Sequence, residues 1–258
     1  SHDMTLACRI HAARDLRLED VALPELGPHD VQMKLGAGGI CGSDLHYFLH
    51  GGFGTVRVKQ PMVLGHEFAG TIEALGPGQV RLRLATGGVC GSDLHYYNHG
   101  GFGAVRLKEP MILGHEVSAF VEEPGSSGFA KGQLVAVSPS RPCGGCKFCL
   151  EGLPNQCLNM RFYGSAMPFP HIQGAFREVL VADASQCVDA TGLTPGEAAM
   201  AEPLAVTLHA TTRAGGMRGK RVLVTGCGPI GVLSILAARR AGAAEIVATD
   251  LSDFTLGL

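Results

Sequence analysis

A near-copy of thirty residues within one chain constrains this sequence more than any other feature. From Gly38 to Glu67, 23 of 30 positions are identical to Gly87 through Glu116. The likeness begins upstream, where Leu26 to Leu35 corresponds to Leu75 to Leu84, an offset of 49 residues. Segments so alike must fold alike, yet only two are present and both are flanked by non-repeating sequence. A solenoid needs about three units to bury a continuous core. The repeat therefore reads as a join between two related genes, by recombination, as a deliberate chimera or in how the sequence was assembled, at the shared Leu-Gly-Pro-Gly of residues 75–78.

Each copy carries the same chemistry-bearing residues: Cys41-Gly-Ser-Asp44 with Gly65-His66-Glu67, then Cys90-Gly-Ser-Asp93 with Gly114-His115-Glu116. A cysteine and a histidine with 24 residues between them are too far separated for a zinc finger and suit ligands on different strands of a barrel. Gly91 allows a sharp turn, Ser92 places a hydroxyl near the metal, and Asp93 can orient the ligand imidazole from behind. Glu116 adds a carboxylate. Glu202-Pro203 supplies another inside the apolar run 198–206. One Cys, one His and one or two Glu around zinc leave a position open for water or an alcohol oxygen. The second copy, Cys90 and His115, is taken as this open site because it runs uninterrupted to Glu202; Cys41, His66 and Glu67 are its alternative. His95 and His99 are read as polar lining rather than ligands.

Downstream, Cys143-x2-Cys146-x2-Cys149-x7-Cys157 places four thiols within 15 residues, the spacing of a closed, structural zinc site. Basic residues there are scattered (Arg141, Lys147, Arg161), with no stripe to contact phosphates. Nine cysteines, without an export signal, fit thiolates on metal in a reducing cytoplasm better than a disulfide framework. With a net charge of −2 and no apolar run near the ~20 residues that span a bilayer, neither nucleic acid nor membrane is an expected partner. Ser1-His2-Asp3 reads as a remnant preceding Met4.

Strands are expected over 5–8, 16–21, 31–35, 133–137 and 175–181, and a helix over 198–214 started by Thr194-Pro-Gly-Glu197. From Arg221 the pattern becomes strand, glycine turn, helix, strand. Gly226-Cys-Gly228-Pro229-Ile230-Gly231 follows a strand, opens a helix carrying Ile230, Leu233 and Ala237 on one face, and has Asp250 19 residues after its last glycine. Such a turn seats a pyrophosphate at a helix N-terminus. Asp250 would accept hydrogen bonds from ribose hydroxyls and repel a 2′-phosphate, favouring NAD over NADP. The expected organisation is a domain over 4–214, containing the repeats 26–74 and 75–123 and a zinc lobe over 141–160, then the first βαβ unit of a dinucleotide domain over 215–258.

Taken together, these residues resemble the zinc-containing medium-chain alcohol and polyol dehydrogenases. Asn155-Gln-Cys157, 160–167, Phe169-Pro-His171 and 201–206 are similar to the branch acting on sugar acids. The resemblance implies mixed β and α/β architecture: a GroES-like β-barrel with a zinc lobe, then a Rossmann domain, here incomplete. It implies a catalytic zinc on Cys90, His115 and either Glu116 or Glu202, with Ser92 relaying the substrate proton and Asp93 behind the histidine. It further implies oxidation of a secondary alcohol, such as L-idonate to 5-keto-D-gluconate or a sorbitol- or xylitol-type polyol, with hydride passing to NAD, in a homo-oligomer. A chimera that holds zinc without catalysing is the competing expectation.

Overall fold

The computed structural model describes residues 4–28 and 30–257. The chain divides into two units, one ending at Gln79 and the next starting at Val80.

In the first unit β1 (Met4–Ala12) pairs antiparallel with β2 (Asp15–Ala22), and β3 (Val31–Gly38) precedes α1 (Gly42–His50). A short hairpin of β4 (Gly52–Phe53) and β5 (Val56–Arg57) leads to β6 (Met62–Val63), which joins β1, and to β7 (Phe68–Leu75), which pairs with β3. The second unit repeats this plan: β8 (Gln79–Gly88), α2 (Gly91–His99), a hairpin of β9 (Gly101–Phe102) and β10 (Val105–Arg106), and β11 (Glu116–Glu123). The repetition extends to register. Gly38 faces Phe68 and Met33 faces Ile72, as Gly87 faces Val117 and Leu82 faces Val121. Bulges also recur at corresponding places, so the same sequence dictates the same pairing.

The second copy then gains partners. β12 (Leu134–Val137), β15 (Val179–Asp183) and β16 (Cys187–Asp189) complete a five-stranded sheet in the order β15-β8-β11-β12-β16. Val80, Leu82, Val117, Ala119, Val121, Val135, Val137 and Leu180 form its core. Alternation along β8 and β11 sends these side chains to one face. The corresponding positions of the first copy remain in water: Met33 is 37% and Phe68 58% exposed, against 0% for Leu82 and 2% for Val117. Between β12 and β15 lie the cysteine lobe, with β13 (Ser140–Arg141), α3 (Lys147–Leu150) and β14 (Arg161–Phe162), and a strap that docks on the second copy. In the strap Gly174 donates to the Ile112 carbonyl (2.6 Å), Ala175 to that of Gly114 (2.8 Å) and Phe176 to that of Leu113 (2.9 Å). The strand expected over 175–181 is therefore displaced. Its first residues bond to 112–114, and the strand runs from Val179.

The expected helix over 198–214 divides into α4 (Pro195–Ala199) and α5 (Ala201–Arg213), broken at Met200. Thr194 caps α4 as its sequence predicts: its hydroxyl accepts from the Glu197 amide (3.3 Å), while Glu197 accepts from the Thr194 amide (2.8 Å). β17 (Arg221–Thr225) and β18 (Glu245–Thr249) run parallel about α6 (Pro229–Arg240), followed by α7 (Asp253–Leu256). Leu233, Ala237 and Ala238 are the buried face of α6; Ile230, expected beside them, is 48% exposed because it sits in the first turn. Among the described residues no helix is long and apolar enough to cross a membrane.

Candidate functional site

Gly91, expected to allow a sharp turn, is instead the first residue of a helix with Cys90 at its N-cap, and Gly42 stands likewise after Cys41. Asp93 fixes this start: its Oδ2 accepts from the Cys90 amide (3.0 Å) and its Oδ1 from the Gly114 amide (3.1 Å). The same Oδ1 lies 3.8 Å from Nδ1 of His115, so one buried carboxylate positions the cysteine, the Gly-His-Glu turn and the imidazole. Phe162 packs on the other side of the histidine ring, with centroids 5.5 Å apart. Ligand atoms of Cys90, His115 and Glu116 come within 4.8 Å of one another. Sulfur, imidazole nitrogen and carboxylate oxygen at that separation form a donor set that fits zinc.

Glu202, the other expected carboxylate, is not among those mutually close ligand atoms but lies near enough to Glu116 for the two charges to interact. The Ser118 hydroxyl on β11 donates to the Pro195 carbonyl (2.7 Å), holding α4, and hence the start of α5, against the strand that opens with Glu116. Burial, reinforced by the neighbouring Glu116 charge, pushes the Glu202 carboxyl up to about 7. The repeat has Ala69 where Ser118 stands, so this tether belongs to the second copy. Ser92 lies half-buried in the first turn of α2, and the strap closes over Gly114, whose φ of +95° and contact with the Phe176 ring exclude a side chain. Tyr96, which no sequence signal singles out, and His171, expected only as part of the Phe169-Pro-His171 resemblance, both have structural partners. The buried Tyr96 hydroxyl accepts from the Ala166 amide (3.0 Å), and buried His171 accepts from the Lys108 amide through Nε2 (2.9 Å). Both fasten the strap. His95 and His99 are exposed on α2, with ring centroids 5.9 Å apart, outside the ligand cluster.

The first copy gathers Cys41, His66 and Glu67 just as closely. There the Cys41 amide donates to Asp44 Oδ2 (2.9 Å), and Asp44 Oδ1 is 3.6 Å from His66 Nδ1. The backbone and hydroxyl of Ser43 draw the Cys41 thiol below its usual range, and Cys41 in turn raises His66.

The sulfur atoms of Cys143, Cys146, Cys149 and Cys157 all lie within 4.8 Å of one another. Cys146 is 3.5 Å from Cys149 and 4.0 Å from Cys157, bracketing the ~3.8 Å edge of a tetrahedron with ~2.3 Å zinc–sulfur bonds. Backbone amides already point at these sulfurs: Cys143 and Asn159 donate to Cys157 (3.2 and 3.4 Å). The Gly145 amide helps draw the Cys143 thiol down to about 6, whereas desolvation and the Cys146 thiol push Cys149 up to about 12. Cys143 thus gives up its proton readily while Cys149 keeps its own, which a bound metal would have to displace.

At the glycine turn, Gly226 adopts φ +94° and a Cβ on Gly231 would strike the Gly226 carbonyl, so both glycines are required. Gly228 has open space before it at the N-terminus of α6, next to Pro229 and Ile230. Asp250 accepts from the amides of Cys227 (2.6 Å) and Ser252 (2.8 Å), which lower its carboxyl below the usual range. It therefore braces the turn and stays ionised beside it.

The profile of the alcohol dehydrogenase GroES-like domain matches this chain twice, over residues 27–81 and 76–195, meeting where the repeats meet. Similarity extends to L-idonate 5-dehydrogenase (NAD(P)(+)) of Escherichia coli K12, 49% identical over 227 residues, 88% of this chain and 52% of that protein. Bovine sorbitol dehydrogenase is 35% identical over 248 residues, 96% of this chain and 55% of that protein. The crystal structure of L-idonate 5-dehydrogenase from E. coli superposes with a TM-score of 0.68 at 35% identity, covering 98% of this chain and 59% of that one. The chain thus spans about half the length of the curated relatives it matches.

Proposed function

Because the chain belongs to the alcohol dehydrogenase GroES-like domain family, we propose that it oxidises a secondary alcohol of a sugar acid, L-idonate to 5-keto-D-gluconate, with hydride passing to NAD. The observation that carries this reading is the convergence of Cys90, His115 and Glu116, with Glu202 brought beside Glu116. These residues would hold a catalytic zinc, and Cys143, Cys146, Cys149 and Cys157 a structural one. When bound, zinc supplies the Lewis acidity that eases ionisation of a hydroxyl near neutral pH, and the nicotinamide supplies a hydride acceptor.

The chain's own residues have distinct tasks in this scheme. Asp93, with its Oδ1 3.8 Å from Nδ1 of His115, places a negative charge behind the ring and favours its orientation toward the metal. Ser92, two residues beyond Cys90, receives the substrate proton at its hydroxyl. Phe162 and the strap keep water from the back of the histidine. Gly226, Gly228 and Gly231, with Pro229 and Ile230, seat the pyrophosphate at the α6 N-terminus, and Asp250 takes the ribose hydroxyls. Residues 4–214 would serve as the catalytic part and 215–258 as the dinucleotide part. Similarity to both L-idonate and sorbitol dehydrogenases supports a hydroxylated small molecule as substrate. Nine thiols without a disulfide partner support a reducing cytoplasmic setting, and the family resemblance supports a homo-oligomer.

The test is NADH formation by the zinc-loaded protein with L-idonate, sorbitol and xylitol. Faster turnover of L-idonate is expected. Preference for sorbitol would move the reading to polyols, and no NADH with any of the three would leave a zinc-binding protein without dehydrogenase chemistry.

A further inference from the structure

The proposed dehydrogenase site uses one of two near-identical ligand sets. We propose that Cys41, His66 and Glu67 form a separate site for a borderline divalent ion such as zinc, filled independently of the second-copy site and exchanging its ion faster. The donor set is a thiol, an imidazole and a carboxylate, already within 4.8 Å of one another. The β3–β7 register that presents them is the register of β8–β11, so the backbone delivers ligands in the same arrangement. Asp44 binds the Cys41 amide with one oxygen and lies 3.6 Å from His66 Nδ1 with the other, so the same carboxylate stands behind both ligands as in the second copy.

What differs is the enclosure. The His66 side chain is 54% exposed, against 8% for His115. Among the described residues no aromatic ring packs on His66, whereas Phe162 packs on His115. Gly65 has open space where Gly114 meets Phe176. Glu67 and Asp44 line the wall of a cavity of about 730 Å³, so one side of the triad faces open space. Water can therefore enter the coordination shell, and the imidazole is held from one side only. Loss of such outer support weakens metal sites by about 10–100-fold, which sets the expected difference between the two copies.

The test is zinc stoichiometry and release. Reduced protein is stripped with a chelator, reloaded with zinc and challenged with a chromogenic chelator. Three ions per chain are expected, one leaving in a fast phase. Cys41→Ser should abolish that phase and leave two ions. His66→Asn, which alters an exposed ring and spares the fold, should do the same, with circular dichroism confirming the fold. Cys90→Ser should remove a slow ion and keep the fast phase. An ion count that neither Cys41→Ser nor His66→Asn lowers, a fast phase that survives both first-copy substitutions, or release of all ions at one rate would overturn the inference. Absence of a slow ion sensitive to Cys90→Ser would instead count against the dehydrogenase site alone.

Discussion

The repeat provides its own control for how packing, rather than sequence, sets stability. Leu82 and Met33 occupy equivalent strand positions, opposite Val121 and Ile72 in the same register. Leu82 is fully buried beneath the strands and strap that follow the second copy, while Met33 is 37% exposed. Truncating a fully buried leucine forfeits its transfer free energy and leaves a cavity, so Leu82→Ala should destabilise the second unit by about 3 kcal/mol. Met33→Ala removes a side chain already in contact with water, next to neighbours free to relax, and should cost less than about 1 kcal/mol. Hydrogen exchange read by mass spectrometry separates the two units. In Leu82→Ala the amides of β11 should exchange about 100-fold faster, the factor that ~3 kcal/mol implies, while in Met33→Ala those of β7 should change by less than about 5-fold. Equal costs at the two positions would refute the claim that only the second copy is completed by the downstream chain.

Two further predictions concern protonation. In metal-free protein at pH 7, Cys143, whose thiol is drawn down to about 6, should be alkylated by iodoacetamide before Cys149, which is pushed up to about 12; mass spectrometry of tryptic peptides reads the order, and zinc should protect both. Glu202 holds its proton more tightly in the folded state, at about 7 against an ordinary carboxyl near 4.5, so its contribution favours folding at low pH and declines as pH rises between those values. Urea unfolding of the metal-free protein should show stability falling from pH 5 to pH 7 and levelling above it, and Glu202→Gln should remove that slope.

Much of the site was legible in the sequence because its chemistry is written in residue types. The four cysteines, the glycine turn with Asp250, and Cys90 with His115 and Glu116 all stand where their spacing placed them. Helices α1 and α2 were not legible, since glycine at a first helical position looks like a turn; the signal was Asp93 three residues after Cys90, an acid at the place that caps a helix start. The tether from Ser118 to Pro195 joins residues 77 apart and leaves no local pattern, although it holds α4 against β11 in the second copy. Exposure was equally invisible. Nothing within thirty near-identical residues distinguishes the copy that Phe176 and β12 cover from the one they do not. The break at Met200 in the 198–214 helix was legible in principle, because Pro203 has no amide to bond the Ala199 carbonyl four residues before it and so forces a new helix start at Ala201.

The central claim is that the second copy, not the first, carries the dehydrogenase chemistry. Comparing L-idonate-dependent NADH formation in Cys90→Ser and Cys41→Ser, both zinc-loaded and both checked for fold, tests it most directly. Cys90→Ser should fall to background while Cys41→Ser keeps the rate of the unaltered protein. Loss of activity in Cys41→Ser with Cys90→Ser unaffected would contradict the account.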